Sequence, residues 1–350
     1  MNGGFAGMLQ AMQAEGLRKL SAKVPSWAGR ELEIPASLNL QQCSGEIAAR
    51  YKASLIPEGA RVADLTGGLG VDSWAFSLKA SAVWYNERDN VLCGAVERNF
   101  GLLSISNVLF NCYDIGAELS GWQEALSEFG PDVIYLDPAR RGTAGRKLFL
   151  LEECSPDVVS LMPLLTGLAP TVMVKVSPMA DITMLRRRLE AYLSHIHVIG
   201  TGGECKELLC VCSSGASFSG VVLAENGQVF NPSCVAEAET GQRDLLFVPS
   251  ASMVKSGLGP GMGMMPYDGS LAHFGKYYQV IEDLPFASSV LKALGRRYPQ
   301  AEVTAKGVGL SSEQLRTKIK TKPGGPVHIF ACVLGGERRL IISCPYHAAG

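Results

Sequence analysis

Short apolar segments alternate with amphipathic helical patterns between residues 61 and 213 of this 350-residue chain. Such alternation is typical of a mostly parallel sheet with helices on both faces. The chain is longer than one hydrophobic core usually organises, and 47% of its residues are apolar, so we expect a folded protein of two or more domains. The predicted strands are 61–65, 82–86, 108–112, 132–136, 171–176, 195–199 and 208–213.

The last two predicted strands are joined by the short tip TGGECKELL, which has no room for a crossover helix. They must therefore run antiparallel, because only a hairpin needs so short a connection. Six parallel strands closed by one antiparallel strand are expected of a class I methyltransferase, whereas an NAD-binding Rossmann domain usually lacks the final hairpin. The predicted fold is a doubly wound α/β sheet of seven strands with a small α+β domain at the C-terminal end.

The composition divides the chain into four segments. Residues 1–45 show mixed helical patterns, and the alternating region occupies 46–215. A segment rich in glycine, serine and proline follows, which predicts a small, irregular domain over 216–285. The last segment, 286–350, has the order helix, strand, helix and two paired strands.

A glycine-rich turn, LTGGLGVD, follows the first predicted strand. Glycine lets the backbone approach a ligand closely, and the N–H groups at the start of the next helix can bind an anion. In S-adenosylmethionine (SAM) that anion is a carboxylate, and Asp64 would lie near the amino group. A dinucleotide-binding turn would place its third glycine where this chain has Ser73. The cofactor-binding residues predicted at this turn are Asp64, Thr66, Gly67, Gly68, Gly70 and Asp72.

Two further acidic residues follow the next two strands. Glu87 ends the second predicted strand, 23 residues after Asp64, where a carboxylate can accept hydrogen bonds from both ribose hydroxyls. Asp114 follows the third strand and is placed to contact the adenine amino group. Both residues are therefore predicted to bind the cofactor.

The segment DVIYLDPARRG ends a fourth strand at the same edge of the sheet. Asp137 could steady a sulfonium ion or accept a proton from a nucleophilic nitrogen. Arg140 and Arg141 could hold a phosphate or stack on a base. Lys175 interrupts an apolar strand, where an unpaired ammonium is costly, so we expect it to pair with Asp137 or the substrate. Asp137, Pro138 and Lys175 are the predicted catalytic residues.

Residues 292–322 carry eight basic and two acidic residues, a net charge of about +6. This charge indicates either a solvated helix face or affinity for nucleic acid. The predicted contacts to RNA are Arg316, Lys318, Lys320 and, in the hairpin tip, Lys206. Cysteine and histidine have no ligand spacing, so no metal is predicted. The absence of a recognisable signal sequence and of a pattern among the cysteines favours the cytoplasm.

Together these residues resemble a bacterial family of SAM-dependent RNA methyltransferases that carry a C-terminal THUMP-like domain. The resemblance rests on QQCSGEIAARYK, ADLTGGLGVD, YLDPARRG, KVSPM and GGECKELL, followed by the basic C-terminal segment. It implies a class I methyltransferase fold, SAM as methyl donor, and structured RNA (rRNA or tRNA) as substrate. It further implies a ferredoxin-like segment at 216–285 and a THUMP-like domain at 286–350.

The methylated atom and the substrate class stay open at this stage. DPARRG also resembles the motif of uracil-5 RNA methyltransferases, which need a cysteine after the fifth strand, where this chain has Ser177-Pro178-Met179. Cys205 keeps that mechanism open. Adenine amino methyltransferases usually place an aromatic residue after Asp-Pro-Pro, whereas this chain has Ala139 and Arg140 after Asp137-Pro138. Methylation of a guanine amine is a further alternative. The substrate could also be a protein or a small molecule, or the chain could bind SAM and RNA without turnover.

Overall fold

The structure, a computed structural model, describes residues 3–35, 37–116, 121–140, 151, 154–234 and 245–347. The chain divides into two compact units, Met1–Val229 and Phe230–Gly350. This division differs from the predicted boundaries after residues 215 and 285. The sheet of the first unit continues beyond residue 215, and the sheet of the second unit begins well before residue 286.

The first unit begins with three helices, α1 (Gly3–Lys23), α2 (Ser37–Gln42) and α3 (Glu46–Ser54). Its strands and remaining helices then follow in the order β1 (Arg61–Asp64), α4 (Val71–Ser77), β2 (Ala82–Asn86), α5 (Asn90–Leu102), β3 (Val108–Asn111), α6 (Trp122–Phe129), β4 (Val133–Leu136), β5 (Ala139–Arg140), β6 (Cys154–Ser155), α7 (Val158–Leu168), β7 (Thr171–Val176), α8 (Ile182–Arg188), β8 (Leu193–Thr201), β9 (Glu204–Cys212), β10 (Gly220–Glu225) and β11 (Gln228–Val229).

The main sheet has the strand order β11-β10-β8-β9-β7-β4-β1-β2-β3. Strand β9 runs antiparallel to both β7 and β8, which confirms the predicted hairpin. The seven strands from β8 to β3 form the predicted class I methyltransferase sheet. Strands β10 and β11 extend its edge beyond β8, and this extension was not predicted from the sequence.

The N-terminal helices pack on the first sheet and share its core. Ala49 and Tyr51 of α3 belong to the same hydrophobic cluster as residues of β1 and α4. Trp27 lies edge-on to Trp74 of α4, with ring centroids 5.7 Å apart. Helix α3 is therefore fixed beside α4, at the edge of the sheet where the glycine-rich turn lies.

The second unit contains a sheet with the strand order β13-β12-β14-β17-β16-β15. Its elements are β12 (Leu245–Pro249), α9 (Ala251–Ser256), β13 (Gly263–Met265), β14 (Gly275–Pro285), α10 (Ser288–Arg297), β15 (Glu302–Ala305), α11 (Ser312–Ile319), β16 (His328–Leu334) and β17 (Glu337–Pro345). The predicted order of helix, strand, helix and paired strands is confirmed from α10 to β17. Ser311 and Gln314 form a capping box that begins α11. Among the residues that the structure describes, no helix is both long and apolar enough to cross a membrane.

Candidate functional site

A cavity of about 290 Å³ lies at the carboxyl ends of β1, β2 and β3, and we call it the donor cavity. The carboxyl edge of an open α/β sheet is where such folds usually bind ligands. Six of the predicted cofactor-binding residues line the donor cavity: Thr66, Gly67, Gly68, Asp72, Glu87 and Asp114. The other two, Asp64 and Gly70, lie behind its wall.

The glycine-rich turn packs directly against a buried tyrosine of β2. A Cβ atom on Gly67 would lie 2.1 Å from Cε2 of Tyr85, so the backbone can pass there only without a side chain. The Tyr85 hydroxyl donates a hydrogen bond of 2.6 Å to the carbonyl of Gly68, whose φ angle is +54°. Glycine at these two positions is thus required by a close approach and by a left-handed conformation.

Several N–H groups of the turn are already paired within the protein. Gly67 donates to the carbonyl of Asn86 (2.7 Å), Gly68 to Oε2 of Glu87 (3.1 Å), and Gly70 to the carbonyl of Gly67 (2.9 Å). The sequence had predicted that this turn offers its N–H groups to an anion. The structure differs for these three groups, because the turn closes on itself and on the end of β2.

Glu87 projects from the end of β2 into the donor cavity. Its Oε2 atom accepts from the N–H of Gly68, and its Oε1 atom accepts from the N–H of Asp89 at 3.0 Å. Two backbone donors therefore orient a half-buried carboxylate that keeps further lone pairs for a ligand. This arrangement is compatible with the predicted contact to ribose hydroxyls.

Asp64 supports the turn from behind. Its side chain is 1% exposed, and its two oxygens accept from Ser73 Oγ (2.6 Å) and from the N–H of Thr66 (3.1 Å). Burial, with a smaller contribution from the charge of Asp72, raises the pKa of Asp64 to about 7. Gly70 also lies away from the cavity, since a Cβ there would meet Phe100 and Val96.

Asp114 is exposed at the far wall of the donor cavity, where its Oδ1 atom accepts from the N–H of Gly116. The segment before it is fixed by Asn86, a residue that the sequence interpretation did not identify. Asn86 is buried, donates to the carbonyls of Leu65 and Tyr113, and accepts from the N–H of Tyr113. One amide side chain thus joins the carboxyl ends of the first three strands.

A second cavity, of about 1060 Å³, adjoins the donor cavity, and we call it the acceptor cavity. Pro138, Lys175, Lys206 and Glu207 are among its lining residues. The residues common to both linings are Gln42, Cys43, Ser44, Asp137 and Ala139. Asp137 therefore lies in the wall between the two cavities.

Asp137 is held by contacts on two sides. Its N–H donates to Thr66 Oγ1 at 2.6 Å, which ties it to the glycine-rich turn. Its Oδ2 atom lies 2.5 Å from Nζ of Lys175, whose side chain is 12% exposed. The predicted pairing of Lys175 with Asp137 is therefore present. Burial alone would lower the pKa of Lys175, but the carboxylates of Asp137, Glu207 and Asp72 outweigh burial and raise it.

Two further residues, Lys52 of α3 and Glu207 of β9, extend this ion pair into the protein. Lys52 is fully buried, and its Nζ lies 2.9 Å from Asp72 Oδ1 and 2.6 Å from Glu207 Oε1. Glu207 Oε2 in turn lies 3.8 Å from Nζ of Lys175. We call the five residues Asp72, Lys52, Glu207, Lys175 and Asp137 the charged row.

Burial tends to raise the pKa of Asp72, but the charges of Lys52 and Lys175 and the hydrogen bonds from Lys52 and Ser44 together outweigh burial, so this pKa lies below the usual range. Asp72 also accepts hydrogen bonds from Ser44 Oγ and the Tyr135 hydroxyl. The sequence predicted Asp72 as a cofactor contact, and the structure places it both in the donor cavity wall and in this buried network. Lys52 is not predicted from the sequence as a site residue, although it is the last residue of the motif QQCSGEIAARYK.

The predicted RNA-binding residues lie in three places. Lys206 is exposed beside Glu204, Arg141 lies outside the described residues, and for Arg140 only the backbone, in β5, is described. Arg316, Lys318 and Lys320 belong to the second unit, on α11 or directly after it. In the described part of the chain, no group of three histidine, cysteine, aspartate or glutamate side chains is arranged to hold a metal.

Comparisons with known proteins agree with this fold. Residues 275–345 match a family model described as "THUMP domain-like". The chain is similar to the crystal structure of a protein from Porphyromonas gingivalis W83 that is provisionally described as a methyltransferase. The TM-score is 0.79 and the identity 28%, over 96% of this chain and 89% of that one.

A second solved structure, precorrin-6y C5,15-methyltransferase from Geobacter metallireducens GS-15, matches with 13% identity over 49% of this chain and 89% of that chain. Its TM-score is 0.34. No curated protein matches the chain. The chain thus has a class I methyltransferase fold. It carries a THUMP-like module near its C-terminal end, and the predicted resemblance to methyltransferases with such a module is confirmed.

Proposed function

We propose that this protein is a SAM-dependent methyltransferase that modifies a base in structured RNA, rRNA or tRNA, by direct methyl transfer. The observation that carries the proposal is the position of Asp137 in a wall shared by two adjoining cavities. One cavity has the features of a methyl donor site, and the other is large enough for a nucleoside. The similarity to the Porphyromonas gingivalis protein supports methyl transfer, and the THUMP-like match supports RNA as the substrate.

The residues of the donor cavity fit SAM in three respects. Gly67 lets the turn pass against Tyr85, where a Cβ would not fit, and Gly68 adds a second stretch of bare backbone to the lining of the cavity. The oriented carboxylate of Glu87 can accept hydrogen bonds from a pair of ribose hydroxyls. Asp114 can accept from an exocyclic amine at the other end. The volume of about 290 Å³ is near the lower end of the range for small-molecule sites, roughly 300–1,000 Å³.

When bound, SAM supplies a methyl group that is activated by a positively charged sulfur. Asp137 would accept the proton that a base nitrogen loses as it becomes methylated. The hydrogen bond from the backbone N–H of Asp137 to Thr66 Oγ1 and the ion pair with Lys175 hold Asp137 in place before the substrate enters. Most of the acceleration would then come from orientation and from preorganised charge.

The second unit supplies the feature that points to RNA. Lys318 and Lys320 are exposed, and the region matched as THUMP-like includes both. Part of the positive charge of this region is neutralised, since Arg297 forms an ion pair of 2.6 Å with Glu282. The remaining exposed lysines can contact phosphates without base specificity.

Mass spectrometry of modified nucleosides tests the proposal directly. RNA from cells with and without this protein should differ in one methylated nucleoside. Purified protein should then restore that nucleoside in RNA from the deficient cells. Asp137→Asn should keep its SAM affinity but lose about 100-fold or more in turnover. Asp132→Asn, at the opposite end of β4, is the matched control and should retain full turnover.

Identical nucleosides in the two RNA samples, with methyl transfer to a protein or a small molecule instead, would refute RNA as the substrate. Binding of SAM without methyl transfer to any cellular fraction would refute the enzymatic assignment.

A further inference from the structure

The charged row connects the donor cavity with the acceptor cavity through the protein interior. We infer that Lys52 and Glu207 are positioning residues for methyl transfer, which hold the Lys175 ammonium beside Asp137 and keep it protonated. This inference rests on the proposed function, because it assigns a task to residues that support Asp137. Neither residue lines the donor cavity, and Lys52 lies directly behind cavity-lining residues without lining either cavity itself.

The signs of the five charges alternate along the row. Asp72 lines the donor cavity, Lys52 follows at 2.9 Å, Glu207 at 2.6 Å, Lys175 at 3.8 Å and Asp137 at 2.5 Å. Each lysine thus lies between two carboxylates. The row brings together one residue from each of the five motifs that carry the family resemblance, although Lys52 and Glu207 are 155 positions apart.

Stability alone does not account for this row. Lys52 is 0% exposed and the side chain of Glu207 is 4% exposed, and removing charges from water carries a large desolvation cost. Apolar side chains of similar size are often as stable or more stable in such a place. The Lys52 ammonium nevertheless forms ion pairs with both carboxylates, and it also donates to Ser44 Oγ and to the Tyr135 hydroxyl. We attribute the retained charges to the task that they perform for Lys175.

That task follows from the electrostatic surroundings of Lys175. Asp137, Glu207 and Asp72 are the carboxylates that act on it, and the thiol of Cys43 lies farther away in the same wall. Lys52 pairs with the buried carboxylate of Glu207 at 2.6 Å. Lys52 therefore holds Glu207 in place, Glu207 holds the Lys175 ammonium, and Lys175 fixes the carboxylate of Asp137.

Competitive acetylation with a trace of acetic anhydride tests this chain of effects without any substrate. Only the neutral amine reacts, so the rate at one pH measures the small neutral fraction of Lys175. In Glu207→Gln the rate at Lys175 should rise about tenfold, since an opposite charge removed from within about 4 Å weakens proton binding by at least that factor. Lys206, which lines the same cavity, reports on access and should react as before.

Glu204→Gln is the matched control, because Glu204 lies on the same hairpin with a side chain 74% exposed and pairs with Lys206. It should leave the rate at Lys175 unchanged. Methyl transfer is then measured with labelled SAM and RNA from cells that lack the protein. Glu207→Gln should lower kcat at least about tenfold and leave SAM affinity unchanged, whereas Glu204→Gln should change neither.

Lys52→Met alone removes the ammonium that the buried carboxylates of Asp72 and Glu207 share, and it should destabilise the fold. The double variant Lys52→Met/Glu207→Gln also removes the charge of Glu207, so it should regain part of the lost stability but not kcat. Full kcat in the double variant, or an unchanged Lys175 rate in Glu207→Gln, would overturn the inference. A raised Lys175 rate together with a wild-type protein that methylates no RNA would support the positioning of Lys175 but refute the proposed function.

Discussion

Replacing Glu87 by glutamine should weaken SAM binding by about ten- to a hundredfold. The carboxylate lines the donor cavity and is oriented by the N–H groups of Gly68 and Asp89, at 3.1 and 3.0 Å. A hydrogen bond to a charged group contributes about 1.5–3 kcal/mol, and each 1.4 kcal/mol corresponds to about a factor of ten in Kd. The predicted weakening corresponds to the loss of one such bond to the ribose, because glutamine can still accept the other.

Isothermal titration calorimetry with SAM measures this effect on the wild type and on the variant. Glu97→Gln is the matched control, because Glu97 is exposed on α5 and its substitution removes the same charge at a position outside the cavity. The control should bind SAM with unchanged affinity, and both variants should melt close to the wild type. If Glu87→Gln bound SAM within about twofold of the wild-type affinity, the assignment of Glu87 to the ribose would be wrong.

Three further predictions concern the glycine-rich turn, a buried acid and the second unit. Gly67→Ala should lower the free energy of unfolding by about 1–3 kcal/mol and abolish SAM binding, because its Cβ would lie 2.1 Å from the Tyr85 ring. Gly101→Ala, where a Cβ on α5 would meet open space, should leave the free energy of unfolding unlowered in the same urea titration. Equal losses of stability in the two variants would contradict the predicted clash with Tyr85. The wild type should lose stability relative to Asp64→Asn as pH rises from about 4 to about 7, because the raised pKa makes ionisation of Asp64 in the folded state costly in that range. The difference in free energy of unfolding should reach about 4 kcal/mol. A difference between the two urea curves that stays constant with pH would contradict this. Lys318→Ala should reduce the slope of log K against log salt for a tRNA probe by about one, and fluorescence anisotropy showing an unchanged slope would exclude a phosphate contact there.

The strands of the first sheet could be predicted to within a few residues because apolar runs bounded by turns mark them. The hairpin of β8 and β9 followed from the length of its connection alone. Strand β10 could not be predicted in the same way. It pairs with β8, on the side away from β9, and nothing local in the glycine- and serine-rich sequence before Gly220 specifies that partner.

The candidate site could be predicted from the sequence where its side chains directly follow strands. Asp137 and Glu87 follow strands directly, so the sheet alone brings them to one edge. Lys52 could not be found in this way, since its role depends on the packing of α3 against α4 and β9. Asp64 shows the converse, because its place at a strand end suggested a ligand contact, while the fold buries it beneath the turn.

A crystal structure with S-adenosylhomocysteine, the unreactive product of the donor, tests the central claim most directly. The account predicts density across Gly68 with the ribose at Glu87 and the sulfur directed toward Asp137. Density at any other place on the first unit, with the donor cavity empty, would contradict it.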